Sequence, residues 1–556
     1  MFILPVLTTL LLGLNARSIF NIRSYRKVFV LSLIGFGLLA LFITETLSLF
    51  QLFESVSVIG LYTIINLFLV GVYIKINQKN FVNLPKKLSA KWFYSSLKRL
   101  LFWIKMVEKG SVIYLAFISI TLTVTFLIAS IAAPNNYDSM TYHLARVMHW
   151  IANASVDYYP THIDRQLYSG PLAEYLIAQF QIIHQSDRFA NLVSWIYGIG
   201  CLAAGSLIVK ELGGRFKTQL IATVIIATAP EVILQSTSTQ NDLVVSFFIM
   251  AFVYFVLVNI KNKNFTLATG LLLGITLGLA LLTKGTAYVY TFPFLVWYCV
   301  ELYYNNRKCP LRQLTVIISC ALVINSVFYL RNIQYYHYPL GDSSQIAGIK
   351  NQCPGLKSTA SNLVRNIASQ IWTPSQVVNK KIYQGVSFFH SVIKQDINAN
   401  CTTFLAPANN FTPIAQLNQH EDIAGNPFQI VFFLAGLVLF ISHFRSYPKL
   451  SQRYLLAVAT GFILFSIAFK WQTGINRLNL PLIALGSVSV IIFDCKRLQK
   501  YSSVLISCML IMAVLPVFFN EIRPVFSSHF LAGTRRISSI FTSPRYLQYF
   551  SSIQGL

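Results

Sequence analysis

Aspartate, glutamate, histidine, lysine and arginine are scarce in this chain, so the places where they collect stand out. One place is the run Asn135-Asn136-Tyr137-Asp138-Ser139-Met140-Thr141-Tyr142-His143-Leu144-Ala145-Arg146. A carboxylate, a phenol, an imidazole and a guanidinium there lie within about two helical turns of one another. Asp138 has two readings: the N-terminal cap of a helix, or a general base that takes a proton from an attacking hydroxyl. Read at 3.6 residues per turn, Asp138, Tyr142, Arg146 and His149 share one face, while Leu144, Val147, Met148 and Ile151 share another. That pattern predicts a helix lying flat on a membrane surface, apolar side down and polar side towards water.

Asp242 follows Ser236-Thr237-Ser238-Thr239-Gln240-Asn241 and opens an apolar run; capping explains it adequately, and a second catalytic acid is the sharper reading. Lys284, in Leu281-Leu282-Thr283-Lys284-Gly285-Thr286, closes one apolar run just before the next begins. A lysine there either snorkels or answers an anion. Arg331 and Arg477 also stand at the ends of apolar runs. Cations so placed point to a shared anion, and a lipid phosphate is the economical candidate: arginine binds it as a fork of donors, lysine as a point charge.

The elements that position these residues follow from composition. Of 556 residues, 55% are hydrophobic and 11% charged, and mean hydropathy is +0.59. Apolar runs long enough to cross a bilayer, roughly 17–25 residues each, recur along the chain. In lipid they must be helical, because each backbone N–H and C=O needs a partner within its own segment. Spans are predicted near 2–15, 28–53, 56–74, 112–132, 190–209, 218–235, 241–260, 266–283, 286–303, 313–330, 427–443, 454–470, 478–493 and 502–519. The first carries no basic residues ahead of it and no small-residue cleavage site, so it is expected to be a retained span.

The formal net charge of +26 is a topology signal and a contact with anionic lipid, and not a nucleic-acid footprint. The stretch Lys75–Lys109 is the longest basic one and is predicted to be cytoplasmic. Counting outward, Lys210–Lys217, Lys261–Lys263, Arg307–Arg312, Arg445–Arg453 and Lys496–Lys500 fall on the same side. The opposite loops hold most of the acids, among them Asp138, Glu174, Asp242, Glu421 and Asp422. The expected fold is an all-α polytopic membrane protein, a bundle of about 11–14 transmembrane helices with two long extracytoplasmic loops. Its expected parts are 1–110 (N-terminal spans and basic loop), 111–335 (a seven-span module whose first outer loop is 133–189), 336–426 (a large outer loop), 427–520 (C-terminal spans) and 521–556 (an outer tail). Cys353 and Cys401 both fall in the second large loop, and spacing alone leaves open whether they are joined.

There is no P-loop, no Gly-rich dinucleotide fingerprint, no HExxH, no paired-Cys zinc pattern and no Asp-x-Asp pair for a metal-held nucleotide sugar. On this pattern the chain resembles the GT-C superfamily of membrane glycosyltransferases, in the branch of protein O-mannosyltransferases and the lipid A aminoarabinose transferase. The resemblance covers roughly residues 110–335 and rests on four matches in order. Asp138 stands early in the first outer loop, and Ser169-Gly170-Pro171-Leu172-Ala173-Glu174-Tyr175 supplies a proline step. Gln240-Asn241-Asp242-Leu243 starts the module's fourth span, and Thr283-Lys284-Gly285 closes its fifth. Where protein mannosyltransferases carry Asp-Glu, this chain has Asp138-Ser139. Where the aminoarabinose transferase has Glu-Lys before its proline, this chain has Ser169-Gly170, so a metal site there would have to use Glu174 instead. His420-Glu421-Asp422-Ile423-Ala424-Gly425-Asn426-Pro427 resembles a segment of bacterial members.

The resemblance implies a polyprenyl-phosphate sugar donor and a glycan, lipid or protein acceptor. It also implies a divalent metal as a possible cofactor, and a multi-pass protein of a bacterial plasma membrane working on its outer face. Asp138, Asp242 and Glu174 are then the catalytic candidates, and Lys284, Arg331 and Arg477 the phosphate ligands. Tyr142, His143, Arg146, His420, Glu421 and Asp422 are further candidates. The rival readings are a lipid or glycolipid transporter and a non-catalytic membrane scaffold.

Overall fold

A computed structural model describes residues 3–81, 108–305, 310–413, 419–494, 496–526 and 539–553. Residues 82–107, which hold most of the basic stretch expected to be cytoplasmic, lie outside the described residues. Among the described residues, eight helices are long and apolar enough to cross a membrane, by length and composition. Five more apolar helices are shorter, at 10–17 residues. Among the described residues the regular elements are all helical, and their number and apolar length make a multi-pass membrane protein.

Each predicted span coincides with a helix, and two are broken. The span expected at 218–235 stops at Ala227 and restarts as Pro230–Gln235, because Pro230 has no N–H to continue the ladder and fits only a first turn. The span expected at 478–493 begins as Leu480–Gly486, also with a proline in its first turn, and tightens into a 3₁₀ stretch over Ser487–Phe493. The first break lies near the charged centre described below, with the Glu231 N–H donating to Asn426 Oδ1 and Gln235 Nε2 to the Glu421 carbonyl, where irregular backbone is tolerated because protein covers it.

The helix Asp242–Asn262 is the axis of the bundle, with 94% of its apolar window buried. It packs against Ala190–Glu211, Leu267–Thr283, Thr286–Asn305 and Leu480–Gly486. Leu267–Thr283 lies closest to Pro310–Tyr336, and small residues permit that approach. A Cβ on Gly274 would meet the Cβ of Cys320 at 2.6 Å and the carbonyl of Ile317 at 2.8 Å. The N-terminal helices Ile3–Ile19, Tyr25–Leu49 and Ser55–Phe81 pack on one another, and Tyr25–Leu49 joins them to the module through Ala190–Glu211 and Leu172–His184.

The two long connections are ordered over their described residues. The first carries the helices Leu144–Ala152 and Leu172–His184. In the second, Leu356–Gln370 packs on Lys449–Ala468, and single bridges pair Lys350 with Phe469 and Thr403 with Trp471. A disulfide joins Cys353 to Cys401 across 48 residues, answering the question that spacing left open. It clamps the two arms that grip Phe469–Trp471, the segment leading into Arg477. The Cys353→Ser/Cys401→Ser double variant is expected to lose about 2–4 kcal/mol of stability, since closing such a loop restricts the unfolded chain. Thermal unfolding with and without reductant checks this: reductant should lower the midpoint of the parent and leave that of the variant unmoved.

A candidate active site at the end of the bundle

Four helix ends meet at this centre. Asp138 follows the C-terminal end of Lys109–Ile131, Asp242 opens Asp242–Asn262, Lys284 caps the C-terminal end of Leu267–Thr283, and Arg477 follows Lys449–Ala468. Lys284 Nζ lies 2.5 Å from Asp242 Oδ1, so the two ends carrying them are in contact. Arg477 Nη1 reaches Asp138 Oδ2 at 2.5 Å and Asp422 Oδ1 at 2.8 Å. The chain thus brings together residues 339 positions apart.

Asp138 is 4% exposed. It does not act as a helix cap: its side chain makes no capping bond, and Asn136 Oδ1 accepts from the backbone N–H of Ser139 at 2.5 Å instead. Gln240 Nε2 lies 3.3 Å from Asp138 Oδ2, and Arg165 stands 3.6 Å from Oδ1. Burial pushes the Asp138 carboxyl up, but Arg477, His143 and Arg165 together outweigh it and hold it well below the usual carboxylate range. Asp242 does not act as a cap either, since its oxygen is engaged by Lys284.

The flat, interfacial helix expected after Asp138 is not what forms. Residues Ser139–His143 make a π-helical turn, which shifts the phase of everything after it. Tyr142, His143, Arg146 and Asp138 turn inward and are buried, while Met148 and His149 are exposed. Of the predicted polar face, Asp138, Tyr142 and Arg146 therefore meet protein, while His149 meets water. Glu174 is fully buried, its Oε1 2.5 Å from His143 Nδ1 and 3.6 Å from Arg146 Nη1. Burial raises the Glu174 carboxyl, and Arg146 and His143 more than reverse that, leaving it below its ordinary value. Arg146 also stacks on Trp150, its guanidinium carbon 4.8 Å from the ring centre.

The His420–Asp422 segment contributes in two directions. Asp422 faces the centre through Arg477 and Gln240, with His420 Nδ1 3.6 Å from its Oδ2. Glu421 turns away into a buried knot: it accepts from Asn136 and from Ser238, the latter at 3.0 Å, and pairs with Arg523. Arg523 also donates to Asn135 Oδ1 at 3.1 Å. The segment after the last long helix thereby returns to brace the Asp138 loop.

Arg331 is not part of this cluster. It pairs with Glu45 on Tyr25–Leu49, donates to the carbonyl of Val156 at 2.6 Å, and lies 3.3 Å from the Tyr175 hydroxyl, which itself donates to Glu45 at 2.6 Å. Its charge is answered inside the protein by Glu45, apart from Lys284 and Arg477. Glu45 was the missed signal, because an acid within an apolar span requires a partner. Gln240, Arg165 and Arg523 were missed as well, and nothing local in the sequence marks them. Among the described residues, no three His, Cys, Asp or Glu side chains are placed to hold a metal ion, and Glu174 is committed to His143 and Arg146.

The fold and this centre define a multi-pass membrane protein with a buried, charge-paired site where its helix ends converge. Residues 123–338 match the family model described as dolichyl-phosphate-mannose-protein mannosyltransferase. Similar solved structures include ArnT from Cupriavidus metallidurans bound to undecaprenyl phosphate, at 10% identity and a TM-score of 0.46, covering 70% of this chain and 62% of that one. Another is the archaeal oligosaccharyltransferase AglB from Archaeoglobus fulgidus, in complex with an inhibitory peptide and a dolichol-phosphate. There the identity is 16% and the TM-score 0.37, covering 73% of this chain and 55% of that one. The chain thus spans less than two thirds of the length of either. No match is found among the curated proteins.

Proposed function

We propose that this chain is a membrane glycosyltransferase. It transfers a sugar from a polyprenyl-phosphate donor to an acceptor hydroxyl on the extracytoplasmic face, with inversion at the anomeric carbon. The observation that carries the reading is the pairing of Asp138 with Arg477 and Asp242 with Lys284 in one centre, with Asp138, Asp242 and Lys284 on the segment that matches mannosyltransferases. The disulfide supports the side, since such bonds persist in oxidising compartments, as does the gathering of acids in the loops opposite the basic ones.

In the free protein each cation is answered by a carboxylate. An arriving phosphate competes for Arg477 and Lys284 and loosens their hold on Asp138 and Asp242. The acceptor oxygen then bonds to the anomeric carbon while the bond from that carbon to the phosphate oxygen breaks. The acceptor's proton passes to Asp138, and the leaving phosphate takes up the bonding electrons under the charges of Arg477 and Lys284. As Arg477 turns to the phosphate, Asp138 loses the charge that most depresses its proton affinity and becomes the stronger base that proton transfer needs. Asp242 holds Lys284 in place between turnovers. Glu174, first considered as a catalytic acid, supports His143. The acceptor is a glycan, a lipid or a protein hydroxyl, and Ser139 beside Asp138 departs from the Asp-Glu of protein mannosyltransferases.

Proteoliposomes given labelled polyprenyl-phosphate sugars test this. Label appearing on an added acceptor supports transfer. Label carried across the bilayer while still on its lipid would identify a transporter and overturn the reading. Label left in place against a full panel of donors and acceptors would overturn it as well.

A further inference from the structure

A run of buried polar groups leads away from Asp138 Oδ2 and Asp422 Oδ1, the two oxygens that Arg477 also bridges. Gln240 is fully buried, and its backbone is held at both ends: its N–H donates to Ser238 Oγ at 3.2 Å, and its carbonyl accepts from Ser194 Oγ at 2.6 Å. Its Nε2 lies 3.3 Å from Asp138 Oδ2 and 3.3 Å from Asp422 Oδ1, and its Oε1 lies 3.4 Å from His143 Nε2. His143 Nδ1 is 2.5 Å from Glu174 Oε1. His143 and Glu174 are both 0% exposed.

The proton positions follow from what each group can do. Two ionised carboxylates only accept, so the Gln240 amide must turn its NH₂ towards Asp138 and Asp422. Its Oε1 then faces His143, and Nε2 of the imidazole must carry a proton. That leaves one proton at the contact between His143 Nδ1 and Glu174 Oε1, whichever atom bears it, and the pair is neutral as a unit. The opposite amide orientation would aim a carbonyl oxygen at two carboxylates.

We infer that Glu174, His143 and Gln240 form a positioning chain for Asp138, in which the proton shared by Glu174 and His143 sets the imidazole as donor to Gln240 and thereby holds the carboxamide NH₂ on the Asp138 carboxylate. The assignment rests on the proposed function and gives the Asp138 carboxylate a second donor beside Arg477. Gln240 never touches the reacting atoms; it keeps Asp138 ionised and aimed. The other charges facing Asp138 are Arg477, Arg165 and, farther off, Lys284, with Asp422 sharing both Arg477 and Gln240. A change of Gln240 to leucine removes none of these charges, although it also releases Asp422 Oδ1.

Two variants separate positioning from packing. Gln240→Leu removes the donor and keeps similar bulk, while Gln240→Glu keeps an acceptor for His143 but sets a third carboxylate against Asp138 and Asp422. Losing a hydrogen bond to a charged group corresponds to a rise of about one to two pH units in the proton affinity of Asp138. The acid limb of kcat/KM should therefore move to higher pH by about that much in Gln240→Leu. It should move further in Gln240→Glu, where like charge adds to the loss. Donor KM should change less than twofold in Gln240→Leu. The carbonyl stretch of protonated Asp138 gives a readout that needs no turnover. Assigned in infrared pH titrations by its absence in Asp138→Asn, the band should appear at higher pH in both variants. An acid limb and an infrared band that stay where the parent has them would overturn the inference, even if turnover fell. A parent that transfers no sugar while the infrared band still moves would instead overturn the proposed function and leave the chain in place.

Discussion

Asp138→Asn is expected to abolish sugar transfer while leaving expression and donor binding nearly intact. The loss should be at least about 10²–10⁴ in kcat, the usual worth of general-base assistance. The structure separates this from a folding defect. Asn136, and not Asp138, caps the turn, and Arg477 keeps Asp422 at 2.8 Å as its counter-charge when Asp138 is neutralised. The substitution also has a stability signature. The folded Asp138 carboxyl is depressed, so its stabilising contribution is fully present above its unfolded value of about 4 and is lost as pH falls towards the folded value. The Asn variant should lack that part of the parent's sensitivity to acid. A variant turning over within tenfold of the parent would make Asp138 structural.

The second large effect concerns Lys284, and here the structure changes what a substitution means. Lys284→Ala strands Asp242, which is 1% exposed, as a buried uncompensated carboxylate. Breaking such a pair from one side typically costs about 3–5 kcal/mol. The single variant is therefore expected to lose both stability and donor affinity, and Lys284→Arg to keep part of each because the charge survives in another shape. Adding Asp242→Asn to Lys284→Met removes both charges together. That double variant should regain most of the lost stability but none of the donor affinity. Thermal unfolding beside donor titration reads the two effects apart. Recovery of donor affinity in the double variant would remove Lys284 from phosphate binding.

What the sequence discloses and what it conceals have distinct physical causes. The helices were legible because lipid forces long apolar runs to hydrogen-bond internally, and runs such as Leu243–Ile260 carry little else. Asp138, Asp242 and Lys284 were legible because charge at the end of an apolar run is costly and needs a reason. Which side chain each would pair with was not. The pairing of Arg477 with Asp138 depends on how distant helices pack, and the grip of the disulfide-clamped arms on Phe469–Trp471 is invisible to local pattern. Arg331 illustrates the opposite error. Its position matched that of Lys284 in kind, but Glu45, partly buried on an N-terminal helix, answers it. The flat-helix reading of residues 138–151 failed because it assumed an unbroken 3.6-residue period. The π-helical turn at Ser139–His143 swings His143 and Arg146 onto Glu174, and no helical-wheel count anticipates a phase change of that kind.

The central claim is a single displacement from a lipid phosphate. Its most direct measurement is the anomeric configuration of the product, read by NMR after transfer from a polyprenyl-phosphate sugar of known anomer, together with the amount of polyprenyl phosphate released. The account predicts one inversion and one equivalent of polyprenyl phosphate freed for each sugar transferred. Retention of configuration, or product formed while the lipid keeps its sugar, would contradict it.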